Sequence, residues 1–286
     1  MLLQPLMAET NILESHGMLL LHGALAVLAV LAAQGVCILL SFKLNLYNKK
    51  TSVLLDQKDI AWSVRLDCAD DLFGQCFYPV LAYLAVSGSL QLSGDVNSRW
   101  FEVTTESYVF QLLYVVRMVL HMPVQCITLA DKPSLLAQMT AHHALSAVCF
   151  GGSLVTGRMH FWALLDGSCE VTTVALNTLF LVQGCCPPGW FQRTTKLASG
   201  ICLFFSFLVF RIALFPAWLW YFYVDVTSEP EVTWERVTWV ERLLYPSVTA
   251  GLFVLSCLWM IPITKLVLRG IGLVKEREDT KTEKEE

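Results

Sequence analysis

Charge is what this sequence has least of. Only 15% of its 286 residues are Asp, Glu, Lys or Arg, where a soluble domain carries about 25%. That shortage leaves too little polar surface for a water-exposed globule, and nucleic acid is not an expected partner. No basic segment precedes the first apolar block, which runs for about 26 residues. A cleaved signal peptide has a basic start and a shorter apolar core, so a retained first helix is expected. No C-x-x-C is present, which argues against a structural zinc site. Ten cysteines occur, yet Cys37, Cys68, Cys76, Cys126, Cys149, Cys169, Cys202 and Cys257 fall in or beside apolar blocks. The other two, Cys185 and Cys186, precede Pro187 and Pro188 at a predicted helix end. Two readings stay open for them: palmitoylation, or small residues at the membrane edge. There is no internal repeat and no Asn-x-Ser/Thr acceptor.

What the chain does have is apolar length. It is 55% hydrophobic with a mean hydropathy of +0.56. A helix needs roughly 20 apolar residues to cross hydrocarbon. Seven blocks approach that length, at about 17–42, 64–87, 105–123, 134–154, 160–183, 198–224 and 243–268. The expected fold class is all-α, a polytopic membrane helical bundle of about seven transmembrane helices. Residues 1–16 read as a lumenal N-terminus, and 17–59 as the first helix with a basic cytosolic loop. Residues 60–275 read as the main transmembrane domain, and 276–286 as a disordered charged tail.

Seven alternating helices put 43–65, 124–133, 184–197 and the C-terminal segment on one side. Fourteen of the 20 basic residues then lie there. Only Arg99, Arg158, Arg236 and Arg242 lie opposite, and Arg117 and Arg211 fall within spans. The excess of Lys and Arg predicts a cytosolic C-terminus and an external or lumenal N-terminus.

Hydrophilic groups inside spans are costly and normally face a bundle interior or a cavity. In the fifth span Asp166, Glu170, Thr173 and Asn177 recur at i, i+4, i+7 and i+11, one helix stripe. The opposite side, Phe161, Trp162, Leu164, Leu165, Val171 and Leu179, suits lipid. In the fourth span Gln138, His142, Ser146 and Cys149 share a face, and His143 lies about 100° away, at the edge or against another helix. Tyr114, Arg117 and His121 form a stripe in the third span. Arg211 stands mid-membrane before Pro216, which kinks its helix and frees a carbonyl. The following WLWYFY reads as an interfacial aromatic belt. Asp70, Asp71, Asp166 and Glu170 are the counter-ion candidates for the two arginines. Each of these groups also has a bland explanation: packing, interhelical hydrogen bonds, or charge pairs that set helix register. The adjacent histidines match no metal-ligand spacing.

The histidine pair in TAHHALSAV, then GSCEVTTVALN, then FRIALFP, then CLWMIPITKLVLRG form an ordered set on successive spans. In these residues the chain resembles the TLC-domain proteins, over about residues 60 to 275. The likeness is greatest to the small TLC domain-containing branch related to the ceramide synthases. Against the ceramide synthases it lacks a second histidine motif, with WALLDGSCEVTT in that place. The resemblance implies lipid homeostasis in an internal membrane, most naturally the endoplasmic reticulum, with Golgi or plasma membrane as alternatives.

Two functions follow as expectations. One is a protein that binds, senses or handles a sphingolipid or phospholipid in an intramembrane cavity. There Arg211, Arg117, Tyr114, Thr173 and Asn177 would contact the lipid beside His142 and Glu170. The other is an acyl-CoA-dependent lipid acyltransferase. His142 or His143 would be the general base and Asp166 or Glu170 would orient the imidazole. No cofactor is expected, save acyl-CoA as co-substrate in the second case. Homo-oligomerisation stays open. A transporter or receptor and a metal enzyme are weaker alternatives, since neither broken-helix repeats nor a ligand box are visible.

Overall fold

The computed structural model describes residues 4–43 and 62–273, with side chains from 17–43 and 65–273. The N-terminal side chains up to residue 16, the 44–61 loop and the charged tail, for which disorder was expected, lie outside the described residues. Within them every regular element is helical, in keeping with an all-α membrane bundle.

The apolar blocks of the sequence each fall on one helix or one interrupted helix. They are α1 (Gln4–Lys43), α2 (Trp62–Gln91), α4 (Thr105–Thr128), α5 (Pro133–Thr156), the α6–α7 pair (His160–Gly167 and Glu170–Cys185), the α8–α9 pair (Trp190–Phe207 and Leu214–Ser228) and α10 (Trp239–Gly270). A short α3 (Val96–Phe101) links α2 to α4. Among the described residues four segments are long and apolar enough to cross a membrane by length and composition: Gly17–Lys43, Val96–Thr128, Trp190–Ser228 and Trp239–Gly270. The chain is therefore a multi-pass integral membrane protein, while the count of seven remains an inference from the sequence. The other three passages are more polar: α2 with its acids, α5 with its histidines, and the divided α6–α7.

Local chemistry sets the helix starts. Thr104 with Ser107, and Thr238 with Glu241, close capping boxes at α4 and α10. These satisfy two otherwise orphaned amides each. Pro133 opens α5, where its missing N–H costs nothing. Gly157 closes that helix at φ 62°, a left-handed position that glycine adopts without Cβ strain.

The bundle has two distinct ends. At one end Arg99 grips Asp225 through Nε (2.8 Å) and Nη2 (2.6 Å), and Trp100 Nε1 donates to the same carboxylate at 2.9 Å. Arg158 pairs with Glu241 at 3.4 Å and donates to the Arg236 carbonyl at 3.1 Å. Arg236 covers the Phe101 ring at 4.1 Å, and Arg242 covers Trp234 at 5.6 Å. All four basic residues that alternation assigns to one side thus meet there. Just inside that end Trp100, Trp162, Trp218, Phe222, Phe110 and Phe150 build the aromatic core. Trp218 stacks on Phe222 at 5.0 Å and donates to the Trp162 carbonyl at 2.9 Å.

Two expectations need correction here. WLWYFY does not form a uniform belt: Trp218 and Phe222 are core, and only Trp220 and Tyr223 face outward. Nor does the apolar side of α6 meet lipid. Phe161, Trp162 and Leu164 are buried, as is Leu179 on α7. The reason is enclosure: α2, α3, α4, α5 and α9 all pack on α6, so a helix that looks one-sided in sequence is covered all round.

Candidate functional site

The polar residues from the middle spans collect between the core and the opposite end of the bundle. Asp70, Arg117, His121, His142 and Trp259 all stand roughly two to four turns from the ends of α2, α4, α5 and α10 on that side.

Arg117 is the most securely held. Its Nη1 and Nη2 donate to the two oxygens of Asp70 at 2.8 and 2.7 Å, and Nε reaches the Tyr78 hydroxyl at 3.4 Å. Of the four carboxylates predicted as counter-ions, Asp70 fills that role. His121 Nε2 lies 3.0 Å from the same carboxylate. From there a file of rings crosses the bundle: His121 to His143 is 5.3 Å between centroids, His143 to His142 is 5.2 Å, and His142 to Trp259 is 5.9 Å. Gln125 Nε2 lies 2.9 Å from His143 Nε2 and ties that imidazole to α4. His143 therefore packs against α4, the second of its two expected positions.

Arg211 closes the file beyond Trp259. Its guanidinium lies 5.8 Å from the Trp259 ring and 5.3 Å from Phe207, and Nε donates to Thr172 Oγ1 at 3.0 Å. No carboxylate pairs with it among the described residues. Glu170 and His142 are within its electrostatic reach, but the Glu170 carboxyl lies against the hydroxyls of Thr173 and Tyr114. Arg211 is carried inward by a π-helical turn, Leu208–Ala213, in which Leu214 N bonds back to Val209 O. Pro216 explains it. A proline ring strikes the carbonyl four residues back in an α-helix, and a wider turn gives that carbonyl room.

The predicted stripe on the fifth span is not continuous. Ser168 and Cys169 form a tight turn, with Cys169 N bonded to Asp166 O and Val171 N to Ser168 O. Such a turn winds about 120° per residue instead of 100°, so the register shifts between the two halves. Asp166 turns to α10, where its Oδ2 accepts from Thr249 at 2.8 Å. Glu170 turns to α4. Asn177 packs against Gly74 of α2, where an added Cβ would strike its amide. The same shift makes Thr172, not Thr173, the residue that holds Arg211. Neither Asp166 nor Glu170 hydrogen-bonds to His142 or His143 among the described residues; the imidazole with a carboxylate is His121.

Sequence reading thus located His142, His143, Arg117, Tyr114 and Arg211, and missed Gln125, Thr172, Thr249 and Trp259. Gln125 was detectable, because it extends the stripe of Tyr114, Arg117 and His121 by one turn. The others follow from helix breaks and from α10, whose sequence carries no comparable periodicity.

What distinguishes this region is unmet hydrogen bonding. His121 Nδ1, Gln125 Oε1, His142 Nδ1, His143 Nδ1 and Arg211 Nη1 are buried without a partner, half of all such side-chain atoms among the described residues. A buried polar atom left unpaired costs about 1–3 kcal/mol, so their concentration along the file from His121 to Arg211 makes this region the candidate site. Among the described residues no group of three or more His, Cys, Asp or Glu is arranged to hold a metal ion.

A family model described as the TLC domain matches residues 71–265. No curated protein and no solved structure matches the chain.

Proposed function

The chain belongs to the TLC-domain family, and from that premise we propose that it binds and handles a membrane lipid by its polar head, within the cluster of His142, His143 and Arg211. The cell process is lipid homeostasis, with the protein in the endoplasmic reticulum membrane and its C-terminus in the cytosol. The ligand class is sphingolipid or phospholipid. The observation that carries this reading is the set of five unpartnered buried polar atoms on α4, α5 and the π turn.

Acyl transfer by a histidine base is less well supported. The acids expected to orient the imidazole, Asp166 and Glu170, make no hydrogen bond to His142 or His143 among the described residues, and the group that holds His143 is Gln125. Two experiments separate the readings. Lipid profiling of cells that lack the protein, complemented with wild type or with the double variant His142→Ala/His143→Ala, should show a lipid change that the variant does not correct. Purified protein should meanwhile capture a photoreactive lipid through residues of α4, α5 or the π turn. Acyl-CoA consumption that depends on the two histidines would instead establish the transferase, and capture spread evenly over the bundle surface would remove the binding site.

A further inference from the structure

We propose that the group received here is the oxyanion of a lipid headgroup, a phosphate or a carboxylate, held by Arg211 with the His142 and His143 imidazoles nearby. This rests on the lipid-binding reading above and narrows it to one ligand chemistry.

The argument is a balance of charges. Each nearby carboxylate already has partners within the fold: Asp70 is taken by Arg117 and His121, Asp166 by Thr249, and Glu170 faces Thr173 and Tyr114. Arg117 is neutralised through both its Nη atoms. Arg211 is left with one hydroxyl, from Thr172, and two aromatic rims. It is 5% exposed, and its Nη1 has no partner. A guanidinium keeps its charge in proteins, and at membrane depth an unpaired one is unfavourable. Glu170 lies within electrostatic reach but makes no ion pair with Arg211, so the Nη1 position is open to an oxyanion from outside the chain.

The shape of the site agrees. Thr172, Phe207 and Trp259 fix the guanidinium on three sides, so its free edge is oriented in advance. A guanidinium edge matches the spacing of two oxygens on phosphate or carboxylate. Trp259 also borders His142, whose Nδ1 has no partner, and His143 lies next to it with its Nδ1 likewise unpartnered. Among these groups Arg211 carries the permanent charge. An ammonium headgroup would face the Arg211 charge directly, and a purely hydroxylated one would leave that charge uncompensated. The structure thus favours phosphorylated or acidic lipids over neutral ones such as an unmodified ceramide or diacylglycerol.

The test uses full-length protein in detergent micelles and native mass spectrometry, with ligands of identical acyl chains: phosphatidic acid and diacylglycerol, with oleic acid and inorganic phosphate as further arms. Phosphatidic acid should bind at least about tenfold more tightly than diacylglycerol, the scale of one charge-assisted hydrogen bond. Oleic acid should compete with it. The preference should vanish in Arg211→Met and survive in part in Arg211→Lys. Should Arg211→Met not fold, the comparison of lipids on the wild type decides alone. Equal binding of the two diacyl lipids overturns the oxyanion and leaves lipid binding standing. Displacement of phosphatidic acid by inorganic phosphate at equal concentration overturns the lipid as its source. Failure of every lipid to bind removes the proposed function itself.

Discussion

Arg117 and Arg211 lie at similar depth, but one is clamped by both oxygens of Asp70 and the other has a single hydroxyl. That contrast predicts opposite responses to the same substitution. Arg117→Met strands the Asp70 charge in the interior, and loss of one partner of a buried pair costs about 3–5 kcal/mol. Arg211→Met breaks no ion pair and removes a charge held by one hydroxyl and two rings, so apo stability should change by no more than about 1 kcal/mol. Thermal unfolding of the two variants in detergent measures this. Equal damage from both would mean that Arg211 is structural after all. Asp225 is the reference case at the far end of the bundle. Asp225→Asn weakens the grip on Arg99 and Trp100 and should lower stability by about 3–5 kcal/mol. Lipid capture by the folded fraction should be unchanged, because that clamp lies beyond the aromatic core from the site.

The elements that carry the site are the irregular ones. A tight turn between α6 and α7 and a π turn between α8 and α9 each rotate a polar residue away from where an uninterrupted helix would aim it. Gly167 permits the first of these. A Cβ there would collide with the Phe110 ring of α4, so Gly167→Ala forces the two helices apart. Overpacking of this kind costs about 1–3 kcal/mol. It should also weaken lipid capture, since Glu170 and Thr172 follow directly on α7. A Gly151→Ala control, where an added Cβ meets nothing within 4 Å, should leave both properties as they are. If both glycines tolerate alanine equally, the close approach of α4 to α6 is not what orients α7.

At the scale of the whole molecule, sidedness is the consequence to check. Arg99, Arg158, Arg236 and Arg242 gather at one end of the bundle, and the positive-inside rule makes that end external or lumenal. A glycosylation acceptor inserted at Ser93–Gly94 should be modified in cells, and one inserted at Ala130–Asp131 should not. The reverse pattern would invert the protein, and with it the leaflet that the site faces. The site is nearer the opposite end, so on this orientation it draws its lipid from the cytosolic leaflet.

Much of this was legible in the chain itself. The seven apolar blocks fall on helices whose limits lie within a few residues of those expected, except that α1 and α8 start earlier, at Gln4 and Trp190, because burial in hydrocarbon and satisfaction of backbone hydrogen bonds are local requirements. His142, Tyr114 and Arg117 were found by helical spacing alone, and the split of basic residues foretold which loops share an end. Pairing was beyond sequence. Four carboxylates were open to two arginines, and the choice of Asp70 for Arg117, of Thr249 for Asp166, and of no carboxylate for Arg211 was made by helix rotation. Two short departures from α-geometry set those rotations, and a shift of a few tens of degrees decides which neighbour a side chain meets. Periodicity tells which residues turn inward; only the packed bundle decides what each of them finds there.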